Sequence, residues 1–241
     1  MNTIKVAKLE ARTLKANVTD VLRQLIIDGT LASGAEFNQA QIAEQLGVSR
    51  GPIREALGQL EQEGLLRSVP YKGVVVTPLT RKYVEELYSV RTVLELLALD
   101  RSIERMSDAE IDHLDEIVDA MRLAARNGDL SRLVEIDLHF HEYLLAKADH
   151  ELALKLWLNL EVGMKRCLRT RHKIYTFLDE VVGSHPTLIT ALKARDGVLA
   201  KQILSDHIAE SLHNLLANWP AEVDLTEAVS APEAQGVYGA V

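Results

Sequence analysis

The chain is 241 residues long, room for one large domain or two modest ones, and its 47% hydrophobic and 26% charged residues exclude a disordered or fibrous protein. A single cysteine, Cys167, excludes a disulfide frame; no stretch reaches the roughly 18 unbroken apolar residues of a membrane helix, and the amino end lacks the apolar core of a signal peptide, so a cytoplasmic protein with no membrane partner is expected. The net charge of −8 does not exclude nucleic acid, because residues 1–80 balance at +1 and the rest at −9, and DNA binding depends on local basic groups.

With aromatics at only 5% and Leu and Ala abundant, helices are favoured over a β-sandwich. Val18 to Ile27 has apolar residues at helical spacing and stops near Gly29. After the turn Ala32-Ser33-Gly34, Asn38 is placed to cap a short helix, Gln39 to Leu46, with Ile42, Ala43 and Leu46 facing inward. Gly47 closes that helix, and Ser49 caps a longer one to about Glu63, whose first turn tolerates Pro52 and whose buried stripe is Ile53, Ala56, Leu57 and Leu60. The period then changes: Leu65 to Val69, a turn at Pro70-Tyr71-Lys72-Gly73, and Val74 to Thr77 read as a β-hairpin. Three helices followed by a hairpin are the order of a winged helix-turn-helix, expected over residues 10–78.

From Thr80 onward the pattern is helical. Ser107-Asp108-Ala109-Glu110 is a capping box, Gly128-Asp129 breaks the helix it starts, and helices follow over Leu130 to Ala148, Leu152 to about Leu178, Pro186 to Lys193 and Val198 to Trp219. The expected fold is mainly α: the winged head, then an all-α antiparallel bundle of six or seven helices over residues 79–219, then a flexible tail over 220–241.

In a helix-turn-helix the second helix of the motif enters the major groove with its first turns against the bases. Here that helix opens Ser49-Arg50-Gly51-Pro52-Ile53-Arg54. Arg50 and Arg54 are four apart and share a face, and the planar guanidinium fork suits guanine O6 and N7 or a phosphate. Gly51 keeps the helix start thin where it nears the duplex, and the hairpin tip brings Lys72 and Gly73 to an adjacent groove or the backbone. Two arginines on an arbitrary helix more often only solvate it; their position between a Gly-Val-Ser turn and a hairpin favours DNA. The run from Leu46 to Leu57, with Leu60, Glu63-Gly64-Leu65 and Gly73, resembles the amino-terminal signature of GntR-family regulators over roughly Val21 to Pro78. That resemblance implies that Arg50 and Arg54 contact operator DNA, that Gly73 sits at the wing tip, and that Gln39 or Gln41 assists. The chain departs from the family at Ser33-Gly34, where Pro-Gly is usual.

In the helical part, Asp137 and His141 lie one turn apart on one face, a spacing that can hold a divalent ion. His185 and His207 stand beside apolar stripes on later helices, and one carboxylate with three imidazoles would suit Zn, Ni, Mn or Fe if packing made them converge. Any one of these histidines taken alone is more often structural. Arg91-x-x-x-Glu95, Asp137-x-x-Phe140-His141, His185 and His207 together resemble the FCD ligand-binding domain of the FadR subfamily, over about Val84 to Asn218. The resemblance implies that Asp137, His141, His185 and His207 hold a metal that in turn binds a carboxylate effector. Pro186 pushes His185 away from helical geometry and toward a helix start. Arg91 is either a second contact to the effector or the partner of Glu95 one turn away; Arg169 and Arg171 are weaker candidates. His139, inside the same Asp-to-His segment, is expected to point elsewhere, and His113, His150, His172 and His213 have no comparable context.

The reading that absorbs both halves is a DNA-binding transcriptional repressor controlled by a small organic acid. It would act as a homodimer on palindromic operator DNA. A metal-dependent hydrolase built on the Asp/His cluster, and a regulator whose helical domain only dimerises, are the alternatives.

Overall fold

A computed structural model describes residues 14–170, 178–217 and 219. The head opens with α1 (Leu14–Ile27), four residues earlier than the apolar spacing alone suggests, and buries Val18, Leu22, Ile26 and Ile27. Next come α2 (Gln39–Gln45) and α3 (Arg50–Gln62). Asn38 starts α2 as its sequence position implies, with Oδ1 accepting from Ala40 N and Gln41 N at 3.1 Å each. Ser49 precedes α3 in extended conformation, but its hydroxyl makes no capping hydrogen bond. The stripe Ile53, Ala56, Leu57 and Leu60 is buried against Leu22, Leu65, Leu66 and Val76.

Strands β1 (Leu66–Val69) and β2 (Gly73–Val76) pair antiparallel, with Leu66 opposite Val76 and Val69 opposite Gly73. The tip turns through Tyr71 and Gly73, both in the left-handed region at φ 66° and 80°; Gly73 takes that conformation without steric cost. The segment before α2 joins the wing's outer edge: Phe37 N donates to Val74 O at 2.8 Å and Val76 N to Ala35 O at 2.9 Å. That third, strand-like rung ties the start of α2 to the wing, and no alternating pattern in the sequence signals it.

Residues 77–80 connect to the second part, which contains seven helices among the described residues: α4 (Arg81–Arg105), α5 (Asp108–Arg126), α6 (Leu130–Ala146), α7 (Glu151–Thr170), α8 (Asp179–Val182), α9 (His185–Lys193) and α10 (Gly197–Ala217). The capping box at the start of α5 forms in both directions: Glu110 N donates to Ser107 Oγ at 3.3 Å and Ser107 N to Glu110 Oε2 at 2.8 Å. The helix expected to run to about Leu178 is described as far as Thr170, and α8 is an added single turn; residues 171–177, including Arg171 and His172, lie outside the described residues, as do residues 10–13 and, Trp219 apart, everything after Ala217, the expected tail included. α4 and α7 run antiparallel side by side, with Arg101 Nε donating to Ala148 O at one end and Arg166 Nη2 donating to Thr77 O at the other. Phe140, Trp157, Leu99, Leu114 and Leu204 form the bundle core.

α7 also reaches the head. Val162 packs on the head's core, and Gly163 lets α7 approach α4, since a Cβ there would sit 2.6 Å from Tyr83 Oη. One helix therefore touches the bundle core, the connecting segment and the amino-terminal head.

Candidate nucleic-acid interface and metal centre

The opening of α3, the start of α2 and the wing tip converge on one face. Arg50, Arg54 and Lys72 line a shallow groove of about 450 Å³ together with Asn38, Gln39 and Glu36. All three basic side chains are exposed, and no ion pair with another described residue occupies Arg50 or Arg54. Of the two glutamines singled out in α2, Gln39 lines this groove and Gln41 does not. Ser49, Gly51 and Gly73 are exposed on the same helix opening and wing tip. Three cations around a concave surface with no competing carboxylate bonded to them suit a polyanion. Glu36 is the one acidic group in the lining, and it faces a negatively charged partner unfavourably.

The second site lies inside the bundle. Asp137 and His141 come from α6, His185 from the first position of α9, and His207 from α10; one ligand atom of each lies within 4.8 Å of the others. Asp137, His141 and His185 are buried and His207 is partly so. The ring centroids of His185 and His207 are 4.4 Å apart, and each is 5.4 Å from that of His141. Pro186 places His185 at the helix start, as expected from its restriction on the preceding residue, and there the ring turns inward against the edge of Phe140 at 4.7 Å.

The protonation of these rings follows from their neighbours. His185 Nδ1 lies 2.7 Å from Val182 O. A carbonyl only accepts, so Nδ1 carries the proton and Nε2 the lone pair. Burial pushes His185 down to about 4 although Asp137, with Oδ1 3.4 Å from Nε2, pulls it up, so the ring is neutral near pH 7. His141 Nδ1 stands 2.8 Å from Glu95 Oε2, an ion-pair distance whose alignment falls short of a hydrogen bond. Neither His141 Nε2 nor His185 Nε2 has a hydrogen-bond partner, though both are buried. Buried polar atoms are rarely left so. Two inward lone-pair nitrogens, a third imidazole and a carboxylate fit a divalent cation in donor type and number.

Behind His141 lies a buried polar network. Glu95 Oε1 accepts from Arg91 Nε at 2.7 Å and from Trp157 Nε1 at 2.8 Å. Burial alone would raise the Glu95 carboxyl, but Arg91, His141 and Trp157 outweigh it and hold it at about 2. Arg91 is thus paired with Glu95, while its buried Nη2 has no partner and remains a donor beside the cluster. Trp157 and Val182 are not legible in the sequence as site residues; a tryptophan within a leucine-rich helix reads as core, and a backbone carbonyl leaves no mark in sequence. Glu95 is legible only as the partner of Arg91. His139 is exposed and 3.8 Å from Glu142, His113 pairs with Glu116, His150 Nδ1 accepts from Ala153 N, and Arg169 donates to Ser131, so none of them joins the cluster.

The family model described as "Bacterial regulatory proteins, gntR family" matches residues 14–76, and the FCD domain model matches residues 86–210. The uncharacterized HTH-type transcriptional regulator YdhC of Bacillus subtilis (strain 168) is 32% identical over 200 residues, covering 80% of this chain and 87% of that protein. The gluconate operon transcriptional repressor of the same organism is 31% identical over 188 residues, covering 76% and 77%. The solved structure of E. coli McbR/YncC shares the fold with a TM-score of 0.72 at 23% identity, over 86% of this chain and 99% of that one.

Proposed function

The chain belongs to the GntR family of bacterial regulatory proteins and carries an FCD domain behind its DNA-binding head, and from that premise we propose that it is a cytoplasmic repressor whose operator affinity is set by a small carboxylate bound beside a metal ion in the FCD bundle. The observation that carries the sensing half is the convergence of Asp137, His141, His185 and His207, the first three buried, with the Nε2 atoms of His141 and His185 making no hydrogen bond. When bound, a divalent ion at such a cluster supplies a positive centre to which an organic carboxylate attaches. Asp137 and the three histidines would hold the ion, Arg91 Nη2, which makes no hydrogen bond, would offer a charged donor to the effector, and Phe140 packs against the His185 ring. The alternative of a metal-dependent hydrolase is set aside, because the family and the relatives are transcriptional regulators.

The reading includes a homodimer. Val90, Val93 and Leu97 on α4, and Leu152 and Leu156 on the adjacent α7, are exposed apolar residues at helical spacing, and two copies joined there would present two α3 helices to the halves of a palindrome. The repressor role and the order in which acids are tried follow relatives described as gluconate and D-xylose operon repressors.

Selection of bound duplexes from a random DNA pool tests the reading. The expected product is one enriched motif with two-fold symmetry, retained by purified protein at physiological salt. A pool that gains no motif over successive rounds contradicts it.

A further inference from the structure

We propose that Glu95 is a positioning residue for the metal site: it holds His141 in the Nδ1-protonated tautomer so that Nε2 faces Asp137, His185 and His207. This rests on the metal reading of the cluster. The geometry behind it is independent of the ligand set itself. Glu95 lies on α4, none of the four cluster residues does, and it is buried with its two oxygens divided between two tasks. Oε1 accepts from Arg91 Nε at 2.7 Å and Trp157 Nε1 at 2.8 Å, two donors that cannot accept in return. Those contacts fix the carboxylate's orientation, and Oε2 is left 2.8 Å from His141 Nδ1. A carboxylate at that distance favours a proton on Nδ1, and the proton there leaves the lone pair on Nε2. His185 reaches the same tautomer by a different device, the Val182 carbonyl. Two of the three imidazoles thus have an acceptor behind Nδ1, which turns Nε2 of both toward the cluster, where His185 Nε2 lies 3.4 Å from Asp137 Oδ1. Carboxylate–histidine pairs of this kind orient the ring and raise its basicity as a ligand.

The test uses the full-length protein with histidine labelled in ¹⁵N, the variants Glu95→Gln and Trp157→Phe, and Zn²⁺ or Co²⁺ alone as the probe. In metal-free wild type, imidazole ¹⁵N–¹H spectra are expected to show His141 with Nδ1 protonated, and competition against a chelator to show one ion bound per chain. Glu95→Gln is expected to mix the His141 tautomers and weaken the ion about 10- to 100-fold, with a changed Co²⁺ absorption spectrum. Trp157→Phe keeps the Arg91–Glu95 pair and removes one donor that orients the carboxylate, so it covers the case of an unstable Glu95→Gln; its loss is expected in the same direction and smaller. The inference is overturned if the His141 tautomer is the same in wild type and both variants, or if wild-type and variant affinities agree. Wild type that binds no ion overturns the metal reading, and this inference with it.

Discussion

Replacing Arg50 and Arg54 together by alanine is expected to lower operator affinity at least a hundredfold while leaving the melting temperature unchanged. Each arginine that grips a base edge bidentately is worth about 1–3 kcal/mol of discrimination, and a dimer brings every such arginine to the duplex twice. The fold has no stake in either side chain: both are exposed and neither is ion-paired among the described residues, and surface changes of this kind cost roughly 0.5 kcal/mol or less. The neighbouring groups separate by their salt response. Lys72→Ala, at the wing tip, removes a charge that in the proposed complex would meet phosphate, so affinity should fall for all sequences alike. The slope of log affinity against log salt should then drop by about 1 for each phosphate that is no longer neutralised. Fluorescence anisotropy of the selected duplex and a scrambled one, at two salt concentrations, reads both effects. A double variant that still prefers its operator by the wild-type margin removes α3 from the account.

Loss of a proposed metal ligand is expected to be the other large effect. Zn²⁺ supplied at a hundred times its dissociation constant is expected to stabilise the wild type by about 2.7 kcal/mol, a rise in melting temperature of about 5–10 °C for a protein of this size, and EDTA should reverse it. Asp137→Ala, His141→Ala, His185→Ala and His207→Ala should each abolish the rise. The burial pattern orders the side effects. His141 and His185 are 0% and 1% exposed, so their truncation also opens a void in the core and lowers the metal-free melting temperature, whereas the partly exposed His207 should lose the ion with little other damage. A metal-induced rise that survives in all four variants contradicts the ligand assignment.

The sequence is most legible where local chemistry decides. The α3 stripe, the Asn38 cap, the Ser107–Glu110 box and the hairpin all depend on residues within a few positions of one another, and the structure has each of them. Ser49 marks the start of α3 by position, yet its side chain makes no cap, because residue preference does not fix a rotamer. Asp137 and His141 are adjacent by helical spacing alone, but His185 and His207 join them only through packing of α6, α9 and α10, which spacing cannot encode. Arg91 admits two readings in sequence, and the structure contains the Glu95 pair while leaving Nη2 without a partner. Trp157 is invisible there as a site residue, since its role depends on α4 and α7 lying antiparallel.

Under the proposed function, that antiparallel pair is the route between the two halves. Trp157 touches the network behind His141, and farther along the same helix Val162 packs on the head and Arg166 holds Thr77. A ligand that changes the cluster thereby has a continuous helix through which to favour one placement of the reading heads, by as much as its affinity differs between the two. Operator affinity of wild type and Asp137→Ala, each measured metal-free, with Zn²⁺, and with Zn²⁺ plus D-gluconate and a panel of sugar and hydroxy acids, tests this directly. The account predicts that at least one acid shifts wild-type affinity by about 5- to 150-fold only when the ion is present, and that Asp137→Ala binds the operator with an affinity that no addition moves. Wild-type affinity that stays constant through chelation, reloading and every acid, or an equal shift in Asp137→Ala, would contradict it.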